Sequence, residues 1–167
     1  MNEPTGTAPG IPSALRVAAG RDRFGGQRGL GIQSIDFKVT SQDSEGLFVA
    51  ELTFHVKGGP PRHLHYEQDE WFYVLEGAFV FEVGPEGSVQ RLRLTAGDSL
   101  VAPRRVPHVW ASVGESPGRI LAAVTPAGKL EAFFRDTGKA NVPAPPDPEL
   151  WRAYGMEWLG PPLPGES

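Results

Sequence analysis

Cysteine is absent from the 167-residue chain. That absence excludes disulfides, thiolate metal ligands, iron–sulfur clusters and a cysteine nucleophile together. An excess of basic charge is also missing. Lys and Arg number 16 against 20 Asp and Glu, for a net charge of −4, so neither nucleic acid nor an anionic membrane is an expected partner. No apolar run approaches the ~18 residues of a membrane span. The opening MNEPTGTAPGIPSALRV lacks the basic start and apolar core of a secretory signal. A cytoplasmic location is therefore expected. No helix-turn-helix segment is evident, which argues against a transcriptional sensor.

Glycine and proline, by contrast, are plentiful, at 21 and 17 residues. They fall between short β-branched and aromatic runs, where they act as turns in an all-β fold. The pattern predicts strands over 32–40, 47–56, around His63 and His65, and over 70–75, 78–83, 89–94, 99–102, 108–113 and 119–125. In the second of these, Phe48, Ala50, Leu52, Phe54 and Val56 share one face. Three regions are expected. Residues 1–13 form a Pro/Gly-rich, disordered tail, and 14–128 a β-barrel. Residues 129–167 form a segment of short helices (129–136 and 149–156), a proline linker at 142–148 and an apolar hook at Trp158-Leu159. The aromatics of that last segment, Phe133 to Trp158, need cover from the barrel or from a partner subunit.

Histidine is scarce, and its placement is informative. His63 and His65 share one strand face at spacing i, i+2, in PPRHLHYEQDEWFYVLEG. Glu70 can face the same point only after a turn, which Tyr66 to Asp69 can supply. His108 follows in GDSLVAPRRVPHVW. Three imidazoles and a carboxylate suit one divalent first-row metal, whether Fe, Ni, Mn, Co, Cu or Zn. Glu67 and Asp69 are rival carboxylates, expected instead to solvate the turn. His55 alternates away from the apolar face of its strand and is expected not to be a ligand. Arg62, Arg104 and Arg105 flank the ligand segments, most simply as solvated surface.

These motifs resemble the cupins. His63-x-His65, four residues, Glu70, six residues and Gly77 match the first cupin motif, although Gly58 and Gly59 stand out of register for its opening glycine. Gly97, Pro103 and His108 match the second, with Arg105 and Ser112 in place of a glycine and an asparagine. The resemblance covers roughly residues 28–126. It implies a single jelly roll, or double-stranded β-helix, with short C-terminal helices and with His63, His65, Glu70 and His108 as metal ligands. Within the family, the first-motif stretch and the AFFRD and AYGMEWLGPP segments are most similar to the quercetin 2,3-dioxygenase-like branch. That similarity implies a small-molecule substrate, a flavonol or other enolisable aromatic, with Glu70 doubling as catalytic base. Alternatives on the same site are an oxygen-independent isomerase or cyclase and a non-catalytic binding module. Cupins of this kind commonly pair, so a homodimer is expected.

Overall fold

In a computed structural model of the protein, residues 14–115 and 117–164 are described; the expected N-terminal tail lies outside them. Ten strands follow in order: β1 (Gln33–Val39), β2 (Phe48–Phe54), β3 (Pro61–His65), β4 (Asp69–Glu76), β5 (Ala78–Val83), β6 (Gln90–Thr95), β7 (Ser99–Ala102), β8 (His108–Ser112), β9 (Gly118–Thr125) and β10 (Met156–Pro162). Two helices, α1 (Leu130–Thr137) and α2 (Pro148–Ala153), lie between β9 and β10. The strands form two five-stranded antiparallel sheets, in orders β1-β2-β9-β4-β7 and β10-β3-β8-β5-β6. This is the expected jelly roll.

Alternation builds the core. Phe48, Ala50, Leu52 and Phe54 of β2 face Phe72 and Val74 of β4, Ile120, Ala122 and Val124 of β9, and Trp110 of β8 in one buried cluster. The rings interlock edge-on: Phe54 and Phe72 each stand 5.3 Å from Trp110, an arrangement aromatic quadrupoles favour. Val56 departs from expectation and is exposed, because β2 ends at Phe54 and the inward alternation ends with it.

The C-terminal segment differs most from the sequence reading. Asp147 caps α2 by accepting hydrogen bonds from the Glu149 and Leu150 amides, and the helix stops at Ala153, short of 156. What reads as an apolar hook is β10, an edge strand paired with β3. Met156 stands opposite His65, and Trp158 opposite His63. The register slips on both sides of Gly160, which is how a strand containing Gly160, Pro161 and Pro162 can still pair. The aromatics of this segment pack on the chain's own barrel: Phe133, Phe134 and Trp151 are buried in the main core.

Candidate metal centre

His63 and His65 sit on β3, Glu70 on β4 and His108 on β8. The register brings His63 directly opposite His108. The turn after His65 then carries the chain from one sheet to the other, so Glu70 returns facing the histidines. One ligand atom from each of the four lies within 4.8 Å of all the others. All four side chains are buried. The three sequence-predicted histidines and Glu70 are thus brought together. His55 is not part of the group; it is exposed and faces the Ser34 hydroxyl at 3.2 Å.

Each imidazole is aimed by its second nitrogen. His63 Nδ1 lies 2.7 Å from the Pro61 carbonyl, His108 Nδ1 3.0 Å from the Val106 carbonyl, and His65 Nδ1 3.0 Å from Gln68 Oε1. All three partners are acceptors, so each Nδ1 carries the proton and donates it. In the neutral rings, the form that binds a metal, each Nε2 is then the lone pair. His65 Nε2 is enclosed without a hydrogen bond, 3.2 Å from Glu70 Oε2, and His108 Nε2 stands at the same distance from that oxygen. Lone pairs crowding a buried carboxylate draw in positive charge. A metal ion satisfies them all, so these residues fit one.

The titration behaviour has the same origin. Burial pushes the Glu70 carboxyl up, but His65 and His108 outweigh it and hold the group well below the usual carboxylate range. Burial, then the charges of His108 and His65, pushes His63 well below the ordinary imidazole value. Burial also works against a charged His65, yet Glu70 overcomes it and raises that imidazole.

Sequence reasoning missed Gln68, which it treated as turn filler. Gln68 is buried. Its amide donates to the Pro126 carbonyl at 3.0 Å and to that of Ala127, while its oxygen holds His65. Partners 58 and 59 residues away leave no local signal. The neighbouring carboxylates stay outside the ligand group and solvent-accessible, as expected, and also pair: Asp69 accepts from the Arg104 amide and guanidinium at 2.8 to 3.1 Å, and Glu67 accepts from Arg105 at 3.2 Å. Arg62 is not free either; it donates to the Gly84 carbonyl.

Two of the three motif departures have a visible structural setting. Arg105 has φ +65°, the left-handed conformation that normally favours glycine. It is held there because its amide donates to the His65 carbonyl at 2.7 Å and its guanidinium reaches the Tyr66 carbonyl at 3.2 Å. The turn before His108 is thereby clamped to the ligand strand. At the other motif, a Cβ on Gly59 would stand 1.8 Å from the Trp110 carbonyl, so glycine is required there by close backbone approach.

Above the cluster opens a cavity of about 410 Å³. His63, His65 and Glu70 form part of its lining, and His108 does not. The C-terminal segment supplies much of the wall through Leu130, Phe133, Phe134, Pro143, Trp151 and Met156. Trp151 packs 5.4 Å from the His63 ring and donates its indole N–H to the Pro145 carbonyl at 2.9 Å. Among the described residues Lys57 is the only Lys or Arg in the lining, and its ammonium lies 3.5 Å from exposed Glu115.

A model of the cupin domain matches residues 50–124. A 3-hydroxyanthranilate 3,4-dioxygenase of Xanthomonas oryzae pv. oryzae is 33% identical over 72 residues, 41% of each chain. The protein of the same name from Bacillus thuringiensis is 31% identical over 103 residues, 59% of this chain and 54% of that one. The chain thus spans about half or less of these relatives' length. Among solved structures, a tryptophan-to-phenylalanine variant of the B. subtilis oxalate decarboxylase superposes with a TM-score of 0.56 at 20% identity, over 64% of this chain and 29% of that one. Peruvianin-I, a cysteine peptidase from Thevetia peruviana latex, superposes at 0.54 with 14% identity, over 87% and 74%. At such identities these neighbours show the shared fold alone.

Proposed function

On the support that the domain match and the shared jelly roll give to the cupin superfamily, we propose that this protein is a metal-dependent dioxygenase acting on an enolisable or hydroxylated aromatic, with flavonols as the substrate type to test first. The observation that carries the reading is the position of His63, His65 and Glu70 in the lining of a largely apolar cavity, with His108 completing the ligand group. A divalent ion held by His63, His65, Glu70 and His108 would supply Lewis acidity and a seat for a substrate oxygen. The chain's own residues do the rest. The apolar wall excludes water from the seat. Nδ1–H bonds fix the imidazoles in the binding tautomer. Glu70 is the carboxylate within reach of a substrate hydroxyl proton, and so the catalytic base in this reading.

Similarity to proteins named 3-hydroxyanthranilate 3,4-dioxygenase supports the dioxygenase class. It does not carry that substrate over, because among the described residues a carboxylate-bearing ring would find Lys57 as the one Lys or Arg in the cavity wall, already paired with Glu115. The substrate is better matched by a neutral aromatic. The test is elemental analysis of the purified protein, then oxygen uptake with flavonols, catechols and diketones. About one first-row divalent ion per chain and metal-dependent oxygen consumption are expected. Turnover without oxygen would assign isomerase or cyclase chemistry to the same site; tight binding with no turnover would assign a binding module. A homodimer and a cytoplasmic location remain part of the proposal. The dimer, however, is no longer needed to cover the C-terminal aromatics, which their own barrel buries; light scattering decides it.

A further inference from the structure

The far end of the cavity holds a polar group with no partner. Gln33 opens β1, whose inward positions are Gln33, Ile35 and Phe37. Ile35 and Phe37 are fully buried core. Gln33 occupies the matching inward position at 6% exposure and lines the cavity. Its amide offers two N–H donors and an acceptor oxygen, and among the described residues no side chain or carbonyl engages them. With no protein partner, this inward amide is left to water in the cavity until a ligand group replaces it. Among the described residues it is the one side-chain amide in the cavity lining, and Lys57, the one Lys or Arg there, pairs with Glu115.

The sheet register places Gln33 far from the ligands. Gln33 pairs with Phe54 of β2, whereas Glu70 pairs with Val124 of β9, which in turn pairs with Phe48 of β2. Along β2 the two rows are six residues apart, on the order of 20 Å of backbone at ~3.3 Å per residue. A single ring seated at Glu70 does not reach the Gln33 row. A ligand of two or three linked rings does.

We propose that Gln33 is a specificity-determining residue, hydrogen-bonding a neutral hydroxyl or carbonyl at the far end of an elongated multi-ring ligand whose near end bears the metal-chelating oxygens. This rests on the cavity being the substrate site, and it gives the substrate a second polar end.

The test uses a pair of probes differing by one distal group, 3-hydroxyflavone and its 4′-hydroxylated derivative. Their binding is titrated by absorbance, in oxygen-free buffer, against the full chain loaded with one equivalent of Zn2+. The wild type is expected to bind the hydroxylated probe about tenfold tighter, the scale of one neutral hydrogen bond. Gln33→Leu should remove that preference by weakening the hydroxylated probe alone, with a melting temperature equal to or above the wild type's. Should Gln33→Leu fail to fold, Gln33→Met makes the same comparison with an unbranched side chain. Equal wild-type affinity for the two probes, equal weakening of both in the variant, or no binding of either would overturn the proposal. Because no oxygen is present, the outcome is separable from the dioxygenase reading: a protein that consumes no oxygen on any substrate but keeps the Gln33-dependent preference loses only that reading.

Discussion

The stretch from Gly58 to Ser112 and the segment from Lys129 to Pro162 build the same cavity by opposite means. The first works through direction. His63, His65 and His108 are each aimed by one Nδ1 hydrogen bond, and the turn before His108 is tied to β3 through Arg105 and to β4 through Arg104. The second works through volume. Phe133, Phe134 and Trp151 fill space against the barrel, with Trp151 5.2 Å from Phe133. The contrast separates chemistry from shape: side chains that aim the lone pairs should control the ion, and side chains that fill space should control stability and cavity form.

The largest expected effect lies on the directional side. His63→Ala or His108→Ala should lose nearly all bound metal by elemental analysis, while His55→Ala keeps it. Protons compete for the same lone pairs. Because Glu70 raises His65, metal should begin to leave as pH falls through the imidazole range, and little should remain at pH 4. Full occupancy at pH 4 would show that these histidines are not the ligands.

Glu70→Gln comes next. The amide keeps an oxygen ligand but loses basicity, so a substantial share of metal should stay while turnover falls on the order of 10²–10⁴-fold. Near-normal oxygen uptake would remove the base role.

Trp151→Ala probes the other side. Emptying a buried indole site should cost about 3–5 kcal/mol of unfolding free energy in a denaturant titration, with metal stoichiometry preserved below the transition. If the variant instead lost its ion as completely as His63→Ala, the division between direction and volume would collapse.

Gln68→Ala belongs to the directional group at one remove. Freed from its acceptor, His65 Nδ1–H should orient less well, and metal affinity should fall about 10–100-fold, measured by chelator competition.

The smallest effect is expected for Arg105→Gly. Relief of a left-handed conformation worth roughly 1–2 kcal/mol opposes the loss of the guanidinium's contacts to the Tyr66 carbonyl and exposed Glu67. Net stability by the same denaturant titration should move by less than about 1 kcal/mol. A larger drop would mean that the clamp on β3 is a main support of the site.

What could be read in the sequence follows the same division. Strands β1 to β9 were legible because inward alternation and Gly/Pro turns are local signals; β5 and β7 match their expected bounds residue for residue. The ligand set was legible because His-x-His and a following carboxylate encode a shared face and a turn. Gln68 was not, because its partners Pro126 and Ala127 are brought near only by the closed barrel. Nor was β10, whose Gly and Pro residues hide a strand that exists only because β3 offers it an open edge. Gln33 was hidden in the other way: a polar residue in an alternating strand signals an outward position, and here it points in.

The pairing of β10 with β3 also has a practical side. It runs from Met156 opposite His65 out to Pro162 opposite Pro61, and Pro61 and Pro162 form part of the cavity wall. Tension applied to the C-terminus would peel this edge strand from its free end toward His65 one residue at a time, rather than shear it as a block.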